Sequence, residues 1–214
     1  MARITVLGGT GYAGHHIVTE AAARGHEVTS YSRSEPTEKV DGVTYVAASV
    51  LDENVLAEAV AGADVVFETI SPRGEMADEL EGVVARLIAL AADAGVRLGV
   101  LGGAGSLRVA PEGPRLVDTG VMPEEILPEV HTGIALLEAL QKVPAELSWF
   151  YVSPAGGFGA YAPGERTGQY RVGKDVLLVD DSGESRLSGQ DLAVAVVDEI
   201  EHPAHHRERF HVAY

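Results

Sequence analysis

The sequence predicts an α/β protein: a doubly wound parallel sheet with helices on both faces, folded as a single domain over residues 1–214. Three observations carry that expectation. Strand-like and helix-like periodicities alternate through the first half of the chain. Its strand segments are apolar on both faces, as strands buried under helices on each side must be. A cluster of glycines falls in the first strand-to-helix turn.

Taken in order, RITVL is a short β-branched and aliphatic strand, and a helix comes next over 13–24. EVTSYS and VTYVAA read as the next two strands, succeeded by a helix over 53–61 and the strand ADVVFETI. The helix expected over 76–94 places Met76, Leu80, Val83, Val84, Leu87, Ile88 and Ala91 at three- and four-residue steps, one apolar stripe for packing on a sheet. RLGVLGG is the fifth strand. Beyond Gly102 the pattern loosens, then resumes with a helix over 124–141 and the strand LSWFYVS. A Gly/Pro-rich section over about 153–188 is a candidate substrate or lid segment, and a helix over 190–200 and the strand RFHVAY close the chain. No internal repeat or low-complexity tail interrupts this order.

Bulk composition narrows the function classes. With 46% hydrophobic residues in 214, the chain can bury a sizeable core. Its 16 basic against 32 acidic residues give a net charge of -16, and no basic block tracks a phosphate backbone. Nucleic acids and anionic membranes are therefore not the expected partners. There is no cysteine, which removes disulfides and thiol catalysis and suits a reducing cytoplasm, the compartment expected here. No stretch is long and apolar enough for a membrane span. A small-molecule partner is expected, and a homodimer is compatible with the sequence.

The glycine cluster, LGGTGYAG, contains Gly8, Gly9, Gly11 and Gly14 around Thr10, Tyr12 and Ala13. Both G-x-x-G-x-x-G and G-x-G-x-x-G are satisfied. Missing side chains let backbone N–H groups and a helix N-terminus meet a pyrophosphate, where the helix dipole favours negative charge. Because the cluster succeeds a strand, opens a helix and begins a βαβ unit, it predicts a Rossmann-type dinucleotide site. A glycine-rich turn without a ligand is the plain alternative. The end of the second strand reads Ser32-Arg33, where NAD sites carry an acid for the ribose 2′-OH and NADP sites favour an arginine for the 2′-phosphate. NADPH is therefore the expected cofactor over NADH, against the plain reading of Arg33 as a solvated charge near Glu35.

The Tyr-x-x-x-Lys pair that protonates alkoxides in many dehydrogenases of this fold has one match, Tyr170 to Lys174. That stretch reads as a hairpin, and strand spacing does not bring such side chains together. In the helix over 124–141, His131 is the titratable candidate besides carboxylates, as a proton shuttle or as a structural histidine. Hydride transfer to a ketone makes a basic alkoxide that wants a positioned acid. A flavin or quinone accepts hydride into a delocalised system and needs orientation more than protonation. The sequence thus points to hydride transfer from NADPH to a planar conjugated acceptor, with FMN or FAD as a possible substrate.

The segments GGAGSL, SPAGGFGAYAPGERTGQYRVGKDVLL, SGESRLSGQDLAVAVVDEIEHP and RFHVAY resemble the bacterial NADH-flavin reductase family. These are atypical short-chain dehydrogenases of the NAD(P)H-binding, NmrA-like group, also similar to biliverdin reductase B. The resemblance spans essentially the whole chain and implies a Rossmann enzyme reducing flavin or a related acceptor. The chain departs from the family pattern at Ser49, where an Asp commonly meets the adenine, and at Leu127 and Ala135, where many relatives carry Tyr and Lys. The NmrA-like group also implies a second reading, a redox-sensing regulator that binds NADP without turnover. An isomerase or epimerase with retained cofactor is a third, disfavoured by the short C-terminal section.

Ligands of doubly wound sheets lie beyond the carboxyl ends of the strands. Thr69, Ile70, Ser71, Pro72 and Arg73, then Gly102, Gly103, Ala104, Gly105 and Ser106, then Ser153, Pro154, Ala155 and Gly156 are the expected walls of the nicotinamide half. Ser106 is a candidate to hydrogen-bond an acceptor carbonyl, or else its own backbone. Pro154 and Ala155 resemble the loop that meets the carboxamide in related enzymes. Arg166 and Arg171 are candidates for an acceptor phosphate or for surface ion pairs, and Phe158 and Tyr161 for stacking on a flavin or for packing. His202, His205, His206 and His211 are read as exposed histidines and not as a metal site.

Overall fold

The computed structural model describes residues 1–214 and forms one eight-stranded sheet in the order β3-β2-β1-β4-β5-β6-β8-β7. The strands are β1 Arg3–Leu7, β2 Glu27–Ser32, β3 Val43–Ala47, β4 Val65–Glu68, β5 Arg97–Leu101, β6 Trp149–Ser153, β7 Arg171–Gly173 and β8 Glu208–Ala213. Seven of them run parallel and β7 is antiparallel to β8. Successive strands step outward from β1 to β3, and the chain then returns to place β4 on the other side of β1. That reversal opens a crevice at the strand carboxyl ends between β1 and β4.

Helices α1 Tyr12–Ala23 and α5 Gly189–Glu201 cover one face, and α2 Glu53–Val60, α3 Leu80–Ala94 and α4 Leu127–Gln141 the other. Each face has its own core. Ile17, Val18 and Ala21 of α1 meet Phe67, Phe150 and Phe210 from the sheet, while Val83, Val84 and Leu87 of α3 meet Leu98, Val100 and Trp149. No helix is long and apolar enough to cross a membrane.

Two local expectations change. The helix expected from Met76 begins at Leu80, because Gly74, at φ 58°, turns the chain into a short 3-10 turn that ends at Met76. Met76 is buried beside α3, so the four-residue spacing to Leu80 reflects a turn and not a helix. Residues 171–173 are extended, but they pair with β8 and form no hairpin with residues 175–178. Those residues are drawn away to the 106–108 loop, where Arg108 N–H donates to Asp175 O at 2.7 Å and Leu177 N–H to Arg108 O at 2.8 Å.

The 154–188 section is fastened to the first turn of α5. Ser188 caps that helix, its Oγ accepting from the Asp191 amide at 3.0 Å. The buried Asp191 carboxylate accepts from the Thr167 amide, the Thr167 hydroxyl, the Gly168 amide and the Tyr214 hydroxyl, at 2.6 to 2.9 Å. Burial alone would raise the Asp191 pKa, and these donors outweigh it and hold the carboxyl below its ordinary value.

One row of the sheet is polar where a parallel sheet should be apolar. Glu68 of β4 pairs with Val100 of β5, Val100 with Tyr151 of β6, and Tyr151 with Arg209 of β8. Register partners share a face, so these three polar side chains lie on the α3/α4 side just below the strand ends. Glu68 is 0% exposed; its Oε1 accepts from the Ile70 amide at 2.5 Å and its Oε2 has no partner. Burial pushes its carboxyl up from 4.5 to about 8. Tyr151 lies two strands over in the same row, beyond Val100, and burial raises that phenol too while its hydroxyl donates to Gly133 O of α4 at 2.8 Å.

A neutral buried acid makes stability fall with rising pH. Below the unfolded value both states hold the proton; between 4.5 and about 8 only the folded state does. Each pH unit in that window therefore removes about 1.4 kcal/mol. Glu68→Gln, which cannot ionise, is expected to gain on the parent as pH rises through the window and to run parallel to it above. Urea unfolding at several pH values measures this, and a difference independent of pH would contradict it.

Candidate functional site

The β1-to-α1 turn is shaped by close backbone contact. A Cβ at Gly14 would lie 2.3 Å from Gly8 O and 2.8 Å from Gly9 Cα, and one at Gly9 would lie 2.2 Å from Ser30 Oγ. Gly8 takes φ 84°, open to glycine and costly for other residues. Gly11 caps α1 without any side-chain acceptor, so the amides of Tyr12, Ala13 and Gly14 have no partner within the chain. No acidic side chain stands in that first turn. Unpaired amides, a positive helix end and a cradle that any Cβ would fill are what a pyrophosphate requires, so the turn fits a dinucleotide.

From this turn a cleft of about 790 Å³ runs along the strand carboxyl ends, at the large end of small-molecule sites. It is lined by Gly8, Thr10, Gly11, Tyr12 and Ala13, whereas Gly9 and Gly14 lie behind them and act through packing. At its outer end stand Ser32, Arg33 and Ser49. Ser32 Oγ accepts from the Thr10 amide at 3.2 Å and donates to Tyr31 O at 2.8 Å, so it ties the glycine turn to β2. The Arg33 side chain is 69% exposed and touches Glu75 loosely at 3.5 Å.

The inner half is bounded by the loops after β4, β5 and β6. Ile70, Ser71 and Pro72, Gly102, Gly103 and Ser106, and Pro154 and Ala155 all line it. Ile126, just before α4, and Val130 and Ile134 of α4 give that wall its apolar part, and Phe158 and Tyr161 close the side toward the 154–188 section. Phe158 packs on Tyr12, with ring centroids 5.5 Å apart, while Tyr161 stays 77% exposed. Tyr12 hydroxyl accepts from the Gly189 amide at 3.1 Å and donates to Pro163 O at 3.2 Å, joining the glycine turn, α5 and the 154–188 section. Across the mouth, Arg73 Nε donates to Glu129 of α4 at 2.6 Å.

Ser106 does not bond its own backbone. Its Oγ accepts from Arg209 Nη1 at 2.6 Å, and Arg209 Nη2 in turn donates to Asp175. Glu68, Tyr151 and Arg209 escape a reading of the sequence, although each is a polar residue inside an apolar strand run.

Several expected site residues lie elsewhere. His131 is exposed and absent from the cleft wall: on α4 the neighbouring Val130 and Gly133 turn inward, and the helical phase sends His131 out to solvent. Arg166 pairs with Glu20 at 3.0 Å, and Arg171 is spent on the carbonyls of Val179 and Tyr214, so neither reaches the cleft. Tyr170 donates to Asp198 and Lys174 lies 3.8 Å from Glu208, apart from each other and from the cleft. The C-terminal histidines are not uniformly exposed. His211 is buried, its Nδ1 on Ser153 O and its Nε2 accepting from the Leu178 amide, and His205 stacks on Phe210 beside Glu199.

Comparison with known proteins agrees with the cleft. An uncharacterized protein of Bacillus subtilis, YwnB, is 38% identical over 213 residues, covering 98% of this chain and 97% of its own. A solved structure from Bacteroides thetaiotaomicron, provisionally named an epimerase, superposes with TM-score 0.88 at 38% identity, covering 100% of this chain and 98% of that one. Another from Streptococcus pneumoniae, provisionally named an NADH-flavin reductase, gives 0.87 at 30% identity, covering 100% and 99%. The model of the NAD(P)H-binding family matches residues 8–203, from the first glycine of the turn to just past the end of α5, and the chain belongs to that family.

Proposed function

We propose that the protein is an NADPH-dependent oxidoreductase that passes hydride to a flavin or quinone-like conjugated acceptor. The observation that carries this reading is one continuous cleft with two unlike ends. The glycine turn offers unpaired amides at one end, and Ile126, Val130, Ile134 and Phe158 enclose an apolar chamber suited to a flat ring system at the other. Bound nicotinamide would supply the hydride. The chain's own part is to hold, orient and shield: amides of α1 for the pyrophosphate, the loops at Ser71 and Pro154 for the nicotinamide half, and the 154–188 section as the acceptor side. The Tyr170 and Lys174 side chains are committed elsewhere, so chemistry that needs a tyrosine acid finds none from that pair. The neighbour from S. pneumoniae, by its provisional name, supports the flavin as one such acceptor.

For the cofactor, Arg33 at the end of β2 favours the 2′-phosphate, because its contact with Glu75 is long and exposed and so worth little to it. A phosphate would pair with the guanidinium in a forked geometry instead.

Two measurements test this reading. Arg33→Asp is expected to weaken NADPH binding by about 10- to 100-fold, the value of one charge-assisted contact, while NADH binding holds or improves. Glu75→Gln, which frees Arg33, should tighten NADPH modestly. Fluorescence titration reads both, and equal losses for the two nucleotides would remove Arg33 from the phosphate site. Anaerobic loss of reduced-nicotinamide absorbance with FMN or 1,4-naphthoquinone tests turnover. Tight binding with no turnover on any acceptor would replace the enzyme reading with that of a redox sensor.

A further inference from the structure

We infer that Ser106 and Arg209 form an oxyanion subsite at the inner end of the cleft, which takes the carbonyl oxygen of a conjugated acceptor as that oxygen becomes anionic. This rests on the reductase reading and names the group of the acceptor that is recognised.

Ser106 lines the cleft, and its Oγ makes one hydrogen bond within the chain, the one it accepts from Arg209 Nη1 at 2.6 Å. With a cation on its lone pair, the hydroxyl turns its only hydrogen away from Arg209, and no chain acceptor takes it. Arg209 is itself held. Its side chain is 9% exposed, Nη2 is tied to Asp175, and β8 fixes its backbone beside Tyr151. Its buried Nε has no partner. Asp175 takes the other guanidinium nitrogen, Nη2, from an exposed position, and makes no hydrogen bond with Ser106. The charged group in contact with the Ser106 hydroxyl is thus a cation, set in place by the fold before any acceptor arrives.

In the hydride step the acceptor gains two electrons and one hydrogen as the C4–H bond of reduced nicotinamide breaks and a bond to the acceptor ring forms. Nicotinamide is oxidised by two electrons, and the acceptor's conjugated oxygen is left with the negative charge. Ser106 donates a hydrogen bond to that oxygen and keeps its proton. Water supplies the proton that completes the reduced product. Ser106 is the catalytic residue because it touches the acceptor; Arg209 is a positioning residue acting through it.

A phenol that reports its own ionisation tests the subsite without turnover. 4-Nitrophenol would be titrated against pH with the protein and NADP+, tracking the phenolate absorbance. In the parent its bound pKa should fall by about one unit, the effect of one strong charge-assisted bond. Ser106→Ala should abolish the fall. Arg209→Met should reduce it, and Arg209→Lys, which keeps the charge and not the fork, should restore part. In turnover, Ser106→Ala should cut kcat by roughly 100-fold, as loss of an oxyanion donor does, with NADPH affinity unchanged. Running it with FMN and with 1,4-naphthoquinone shows which carbonyl sits there, as only that acceptor is slowed. A lowered phenol pKa that needs Ser106, in a protein that reduces nothing, would keep the subsite and sink the reductase. No lowering in the parent, or lowering that survives both Ser106→Ala and Arg209→Met, would overturn the subsite whatever the turnover.

Discussion

The structure depends on one backbone contact, that of Gly14 on Gly8 and Gly9. Because no side chain stands between them, α1 begins directly on the end of β1 and its first amides open into the crevice. Thr69, whose hydroxyl donates to Leu7 O at 2.8 Å, would also be struck by a Cβ at Gly14. The seat of α1 thus fixes where β4 leaves the sheet as well. Tyr12 extends the same constraint to α5 and the 154–188 section through its two hydrogen bonds. A single added methyl group at Gly14 would therefore disturb both halves of the cleft at once.

The sheet meets a second demand at its carboxyl edge, where polar groups must be held without water. Each member of the buried row meets it differently. Burial pushes the Glu68 carboxyl up toward its protonated form, Tyr151 donates its hydroxyl hydrogen to a helix carbonyl, and Arg209 divides its guanidinium between Ser106 and Asp175. Buried charge is costly unless paired. The polar row lies beneath the loops that wall the inner cleft.

Much of this was legible in the sequence, and the reasons are physical. Period-two and three-to-four residue patterns report burial on one face, so the order of strands and helices up to Leu101 could be read, as could the glycine turn and the loops beyond it. The same patterns carry no tertiary phase. Nothing in the spacing around His131 says that Val130 and Gly133 take the inward face of α4. The pairing of Arg209 with Ser106 joins residues 103 positions apart, and that of Tyr12 with Gly189 spans 177. Polar residues inside strand runs, at Glu68, Tyr151 and Arg209, were the signal available; only strand order turned three separate oddities into one row.

Short-range geometry also explains how a chain of net charge -16 can offer a site to a polyanion. Most of its arginines are already committed: Arg3, Arg24, Arg73, Arg97, Arg115, Arg166, Arg186 and Arg209 each contact a carboxylate at 3.0 Å or less. Little mobile positive charge is left over. Surface carboxylates beyond about 10 Å are screened at ordinary ionic strength, so their repulsion does not decide the outcome in the cleft. What remains at short range is fixed and positive: the open amides of α1 and, at the outer end, Arg33 with its weak partner. Recognition of phosphate by backbone geometry survives a strongly acidic surface, because amides cannot be neutralised by a neighbouring carboxylate unless the fold brings one to them, and the first turn of α1 carries none.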